Sequence, residues 1–129
     1  KKVKGNGKRK LVQFTDPNCG YCKRLEKEFT KVNDVTIYSF LYPLQPGSDE
    51  IVRNILCSKN PTQAWDDLML NNIMPAAATC NTSTDKVMAL AKKLRVNGTP
   101  NLIFGDGSHN PGYLPAEDLE KRLNEASNK

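Results

Sequence analysis

The sequence predicts an α/β domain, a central mixed β-sheet with helices on both faces. Three observations predict it. The chain opens strand–helix–strand, a unit that is normally parallel and right-handed. A block of helices then separates the second strand from the helix that precedes a closing hairpin. The hairpin and a last helix follow, and the hairpin adds antiparallel strands. The 129 residues (14.4 kDa) suit one domain, and 38% hydrophobic with 26% charged residues is the composition of an ordinary soluble globular protein.

Residues 11–15 form a short apolar run that ends in a turn signal, Asp16-Pro17-Asn18, and read as a buried strand. Cys22, Leu25, Phe29 and Val32 then recur at steps of three and four, giving a helix one apolar face. Lys23, Glu26, Lys27 and Lys31 fall on its other faces, where solvated charges are expected, and Asn33-Asp34 ends it. Residues 35–41 are rich in β-branched and aromatic side chains and read as the second strand. Pro43 and Pro46-Gly47 break it, and Asp49 is the expected cap of a helix through Ile51, Ile55 and Leu56. Asn60-Pro61 starts another, Asn as cap and Pro in the first turn, with Ala64, Trp65, Leu68 and Met69 inward. Residues 71–84 read as a loop. Residues 85–96 read as an amphipathic helix closed by Asn97-Gly98 as a left-handed terminus. Residues 101–104, Gly105-Asp106-Gly107 and a run to Leu114 read as a hairpin with His109 in solvent, and Pro115 starts the last helix, with Leu119 and Leu123 buried.

The net charge of +5 invites a nucleic-acid reading, but its location argues against one. Lys1, Lys2, Lys4, Lys8, Arg9 and Lys10 hold six of the 19 cations, so residues 11–129 carry 13 cations against 14 acids. Residues 1–10 are expected to be a basic flexible arm or linker stub. No apolar run reaches the roughly 18 residues of a membrane span. The opening Lys-Lys-Val-Lys is not followed by the apolar core of a signal peptide.

The sharpest chemical feature is Cys19-Gly20-Tyr21-Cys22, at the junction of the first strand and the first helix. Unpaired N–H groups and the helix dipole at that position favour a thiolate, the reactive form of cysteine. Cys19 lies at the helix start, facing outward. Cys22 continues into the apolar face of Leu25 and Phe29. That asymmetry makes Cys19 the nucleophile and Cys22 the resolving thiol. A CxxC is also half a zinc site, but zinc wants a second close pair, and Cys57 and Cys80 are far apart in sequence. Cys57 and Cys80 are read as a structural disulfide worth on the order of 3 kcal/mol, with two buried free thiols as the alternative. A lasting disulfide would imply an oxidising compartment.

The segment Phe14-Thr15-Asp16-Pro17-Asn18-Cys19-Gly20-Tyr21-Cys22 resembles the active-site segment of the bacterial periplasmic disulfide isomerases of the DsbC/DsbG group, in the thioredoxin superfamily. Cys57-Ser58-Lys59 with Ala64-Trp65-Asp66-Asp67 resembles the start of that group's second disulfide, and Cys80 matches its partner. Val96-Asn97-Gly98-Thr99-Pro100 resembles the superfamily's cis-proline segment, and Gly107 with Pro111-Gly112-Tyr113 its closing hairpin. The resemblance implies a thioredoxin fold with a helical insertion, residues 11–129 forming the catalytic domain. It implies a redox-active Cys19–Cys22 pair, with Cys19 as nucleophile and Cys22 as resolving thiol. It also implies a cis Thr99–Pro100 bond beside them, which turns the Thr99 backbone toward an extended substrate segment. Gly20 and Tyr21, with Thr99 and Pro100, become substrate-binding residues.

The function implied is a soluble periplasmic thiol–disulfide isomerase or reductase acting on unfolded or misoxidised secreted proteins. A DsbD-type membrane reductase would recharge it, and no metal, organic cofactor or nucleic acid takes part. Members of the group carry an N-terminal dimerisation domain and linker helix to which nothing here corresponds. A homodimer is expected only if the full-length protein has such a domain. The rival readings are a DsbA-like dithiol oxidase, separable by equilibration with glutathione, and a thioredoxin-like chaperone or binding module in which the CxxC is incidental. Trp65 is expected in the core and Tyr21 in solvent.

Overall fold

Alternation at period two sets the sheet. In β2 (Arg9–Thr15), Leu11 faces one side, while Val12 and Phe14 face the other. The same division runs through β3 (Val35–Leu41) and β4 (Asn101–Phe104): Val35, Ile37, Leu102 and Phe104 join Leu11, whereas Phe40 and Ile103 join Phe14. β2 and β3 are parallel, and β2 and β4 antiparallel. Two short strands complete a five-stranded mixed sheet in the order β1-β3-β2-β4-β5: β1 (Lys2–Lys4) beside β3, and β5 (His109–Asn110) beside β4. The computed structural model describes residues 1–128; residue 129, the last of the expected domain, lies outside them.

Helices cover both faces. α1 (Gly20–Phe29) and α5 (Ala116–Ser127) lie on the Leu11 side, where Leu25, Phe29, Leu119 and Leu123 complete the main core. α4 (Thr84–Lys93) covers the other face, with Ala91, Val87 and Leu90 against Phe14 and Phe40. α2 (Ser48–Leu56) and α3 (Pro61–Asn71) are the expected insertion. Val52, Ile55, Trp65, Leu68 and Met69 form a further cluster with Leu41, Cys19 and Cys22.

The structure corrects the reading of residues 1–10. They are not a free arm: Lys2, Val3 and Lys4 pair with Ile37, Thr36 and Val35, and Arg9 and Lys10 already belong to β2. Lys2 reaches Asp66 on α3, 2.6 Å away, and Lys4 donates to the carbonyl of Phe29. The connecting turn needs glycine. Gly5 and Gly7 have φ of +58° and +64°, and a Cβ at Gly5 would lie 2.2 Å from Asp34 Oδ1. The basic charge is therefore divided between the edge strand β1, the turn after it and the start of the central strand β2 rather than lying on a tail.

Smaller corrections concern helix ends. Asn60 caps α3 through its side chain with Pro61 at the first turn, as expected. Asp49 is not a cap: α2 starts at Ser48 after Gly47, and Asp49 lies in the first turn, where its charge still suits the dipole. The left-handed residue after α4 is Arg95 (φ 59°), not Asn97 or Gly98.

Candidate functional site

Cys19 is the N-cap of α1, with extended backbone (φ −94°, ψ 119°) and a sulfur that accepts the Cys22 N–H at 3.2 Å. Serine, threonine and aspartate usually fill this role with an oxygen. Here a thiol sulfur takes one of the helix's orphan donors. Cys19, expected to face outward, is only 8% exposed because the Thr99 carbonyl and the insertion cluster cover it; Cys22 is fully buried, and both are free thiols. Burial pushes the Cys22 thiol up to about 12, and its contact with Cys19 pushes in the same direction. A Cβ at Gly20 would meet open space, so the backbone between the two cysteines faces outward.

A second segment closes on Cys19. Thr99–Pro100 is a cis peptide, and the Thr99 carbonyl accepts from the Cys19 thiol at 3.5 Å. The loop that follows α4 thus meets the CxxC turn across a separation of 80 residues. Tyr21, between the cysteines, is 59% exposed. Its ring lies 6.1 Å from that of Tyr113, with the Arg24 guanidinium 5.3 Å over its face. Gly20, Tyr21, Thr99 and Pro100 therefore do border the cysteine pair. Tyr113 and Arg24 were not anticipated, because only the folded hairpin brings Tyr113 alongside.

Cys57 and Cys80 lie elsewhere. They form a disulfide (Cα–Cα 5.6 Å) between the end of α2 and the segment before α4. Asn54 Oδ1 accepts the Ala78 N–H at 3.1 Å, tying that same segment to α2 a second time. Trp65 is in the core, and His109, exposed, is in β5 rather than a loop.

Two acids depart from the sequence reading. Asp16, read as part of a turn signal, is fully buried. Glu26, read as a solvated helix charge, is 6% exposed because α1 lies between the sheet and α3. Burial pushes the Glu26 carboxyl above its ordinary value, against hydrogen bonding from Gln13 Nε2 at 2.7 Å, the neighbouring Trp65 side chain and the Lys2 charge. No spacing signal marks either acid, since the groups around them come from distant segments.

The profile of the thioredoxin-like domain family matches residues 1–127. A probable thiol:disulfide interchange protein DsbC of Bordetella avium is 46% identical over 124 residues, covering 95% of this chain and 45% of that protein. The thiol:disulfide interchange protein DsbC of Escherichia coli K12 is 30% identical over 120 residues, 89% of this chain and 50% of that protein. The chain thus spans about half the length of the curated relatives it matches. Among solved structures, a disulfide interchange protein from Neisseria gonorrhoeae superposes with a TM-score of 0.91 at 36% identity, covering 97% of this chain and 92% of that one. A periplasmic thioredoxin-like protein from Salmonella enterica serovar Typhimurium gives 0.80 at 26% identity, covering 99% and 89%. The chain belongs to the thioredoxin-like domain family, and within it is a DsbC-like member.

Proposed function

We propose that the domain is a thiol–disulfide oxidoreductase that works as an isomerase or reductase on misoxidised secreted proteins in the periplasm. The observation that carries the reading is the asymmetry of the pair. Cys19 caps a helix beside a backbone carbonyl and keeps 8% of its surface exposed, while Cys22 has none, with its thiol pushed up to about 12. The likeness to interchange proteins and to a periplasmic thioredoxin-like protein supports it.

In the first step the Cys19 thiolate attacks a substrate disulfide. A Cys19–substrate bond forms, and the displaced substrate sulfur leaves as a thiolate and takes up a proton. Two exits follow. A substrate thiolate attacks the mixed disulfide, forms a new substrate disulfide and returns Cys19 with no net electron transfer. Otherwise the Cys22 proton is lost, Cys22 attacks Cys19, and the substrate leaves reduced by two electrons. The high Cys22 value slows the second exit by keeping that thiol protonated, which lengthens the time open to reshuffling. The reduced pair would be restored by a membrane dithiol donor of the DsbD type. Dimerisation would belong to segments of a longer protein.

Refolding of a scrambled, multiply disulfide-bonded substrate tests the assignment. Cys19→Ser should abolish activity, and Cys22→Ser should accumulate mixed disulfides visible on non-reducing gels. Full activity of Cys19→Ser sinks the mechanism. Equilibration with glutathione separates the oxidase alternative, which requires a pair that gives up its disulfide far more readily than an isomerase does.

A further inference from the structure

Asp16 lies three residues before Cys19, and its carboxylate is saturated. Oδ1 accepts the Asn18 N–H at 2.8 Å and the Ser48 hydroxyl at 2.5 Å. Oδ2 accepts the N–H groups of Leu44 and Gln45 at 2.7 and 2.8 Å. Its own carbonyl accepts the Cys19 N–H at 3.2 Å. One residue therefore fixes both sides of a junction: the turn that delivers Cys19, and residues 44–48 between β3 and α2. Asn18 closes the junction again, with Nδ2 donating to the Ser48 hydroxyl at 3.0 Å and the Pro46 carbonyl at 3.3 Å.

A carboxylate costs several kcal/mol to bury unless its lone pairs are filled. A turn alone does not require one, since Asn supplies the same local bond to the residue two positions on. Only a group with two full acceptor oxygens meets four donors from two segments. Cys19 is held between this carboxylate's turn and α1, and its sulfur meets the Cys22 N–H only while that turn keeps its shape.

We propose that Asp16 is a positioning residue for the thiol chemistry: by clamping the Cys19 turn to residues 44–48, it holds the Cys19 sulfur on the Cys22 N–H. This rests on the reading that Cys19 is the nucleophile. In Asp16→Asn an amide N–H₂ replaces one acceptor oxygen and faces donors, so the clamp opens without loss of volume. The test is the rate at which iodoacetamide modifies Cys19 in the reduced domain at pH 7, with the site located by peptide mass spectrometry. It is paired with the glutathione equilibrium of the Cys19–Cys22 pair and with thermal melting.

For Asp16→Asn the rate should fall about tenfold, the equivalent of roughly one hydrogen bond lost at the sulfur, and the glutathione equilibrium should move toward the disulfide. Ser48→Ala keeps the charge and removes one donor, and should lower the rate about threefold. If Asp16→Asn fails to fold, Ser48→Ala decides by the same readout. A folded Asp16→Asn with a lower melting temperature but an unchanged rate and equilibrium means a purely structural role and overturns the proposal. A rate that rises means Asp16 acts on the thiol as a negative charge, which also overturns it. If Cys19 of the unmodified protein reacts no faster than a denatured thiol, the functional reading fails instead, independently of Asp16.

Discussion

Asp16 and Glu26 are both buried acids within eleven residues of one another, and the fold treats them in opposite ways. Asp16 has four donors from its own turn and from residues 44–48. Glu26 has fewer, the Gln13 amide with the Trp65 side chain beside it, and burial pushes its carboxyl above the ordinary value of 4.5. Gln13 Nε2 is itself shared with Ser39, at 2.8 Å, and Gln13 Oε1 is buried without a partner. Burial alone therefore says little about a carboxyl. The number of donors aimed at it decides whether it is a structural anchor or an unfilled site.

The contrast can be broken experimentally, beginning at the anchored acid. Asp16→Leu should destabilise the domain by about 4 kcal/mol, because four donors, one of them the buried Ser48 hydroxyl, lose their acceptor. Urea denaturation measures this, and a loss near 1 kcal/mol would show that the donors find water instead. Next is Gln13→Leu, which removes the Gln13 amide from Glu26. It should cost about 2 kcal/mol at pH 8 and move the Glu26 titration further upward, as followed by carboxyl NMR. Ser48→Ala removes a single donor from Asp16 and should cost about 1 kcal/mol by the same denaturation.

The smallest expected effect is the one that depends on pH. The folded value of Glu26 lies above its unfolded value, so the folded state keeps a proton that the unfolded state releases. The stability it contributes is complete below pH 4.5 and is lost as pH rises from there through the folded value. Glu26→Gln should therefore leave stability at pH 4 nearly unchanged and raise it at pH 8. Denaturation curves at both pH values check this. Equal effects at the two pH values would mean that the fold does not raise the Glu26 value.

The same division between near and far partners separates what was legible in the sequence from what was not. The helix carrying Cys22, Leu25 and Phe29 was legible because its signal repeats every three to four residues. Asn60 with Pro61 was legible as a helix start because a cap acts within one turn. The place of the CxxC at a helix N-terminus was legible because it follows a strand and a turn. β1 was not legible: Lys2-Val3-Lys4 is too short and too polar to signal a strand, and its partner is at residues 35–37. Lys2 and Lys4 are held by Asp66 and by the Phe29 carbonyl, contacts that charge counting reads as a solvated tail. Arg95 took the left-handed position expected at Asn97-Gly98, which composition alone does not favour.

By itself the sequence determined the order of strands and helices from β2 onward, the position of Cys19 at the head of α1 and the inward face that buries Cys22. These depend on periodicity and on capping, which act over a few residues. The tertiary structure decided that the N-terminal lysines join the sheet, that Thr99 meets the Cys19 sulfur and that Asp16 is clamped while Glu26 is left short of donors. Each of those depends on groups that are distant in the chain and adjacent only after folding. A carboxylate's partners, unlike a helix's face, have no period to read.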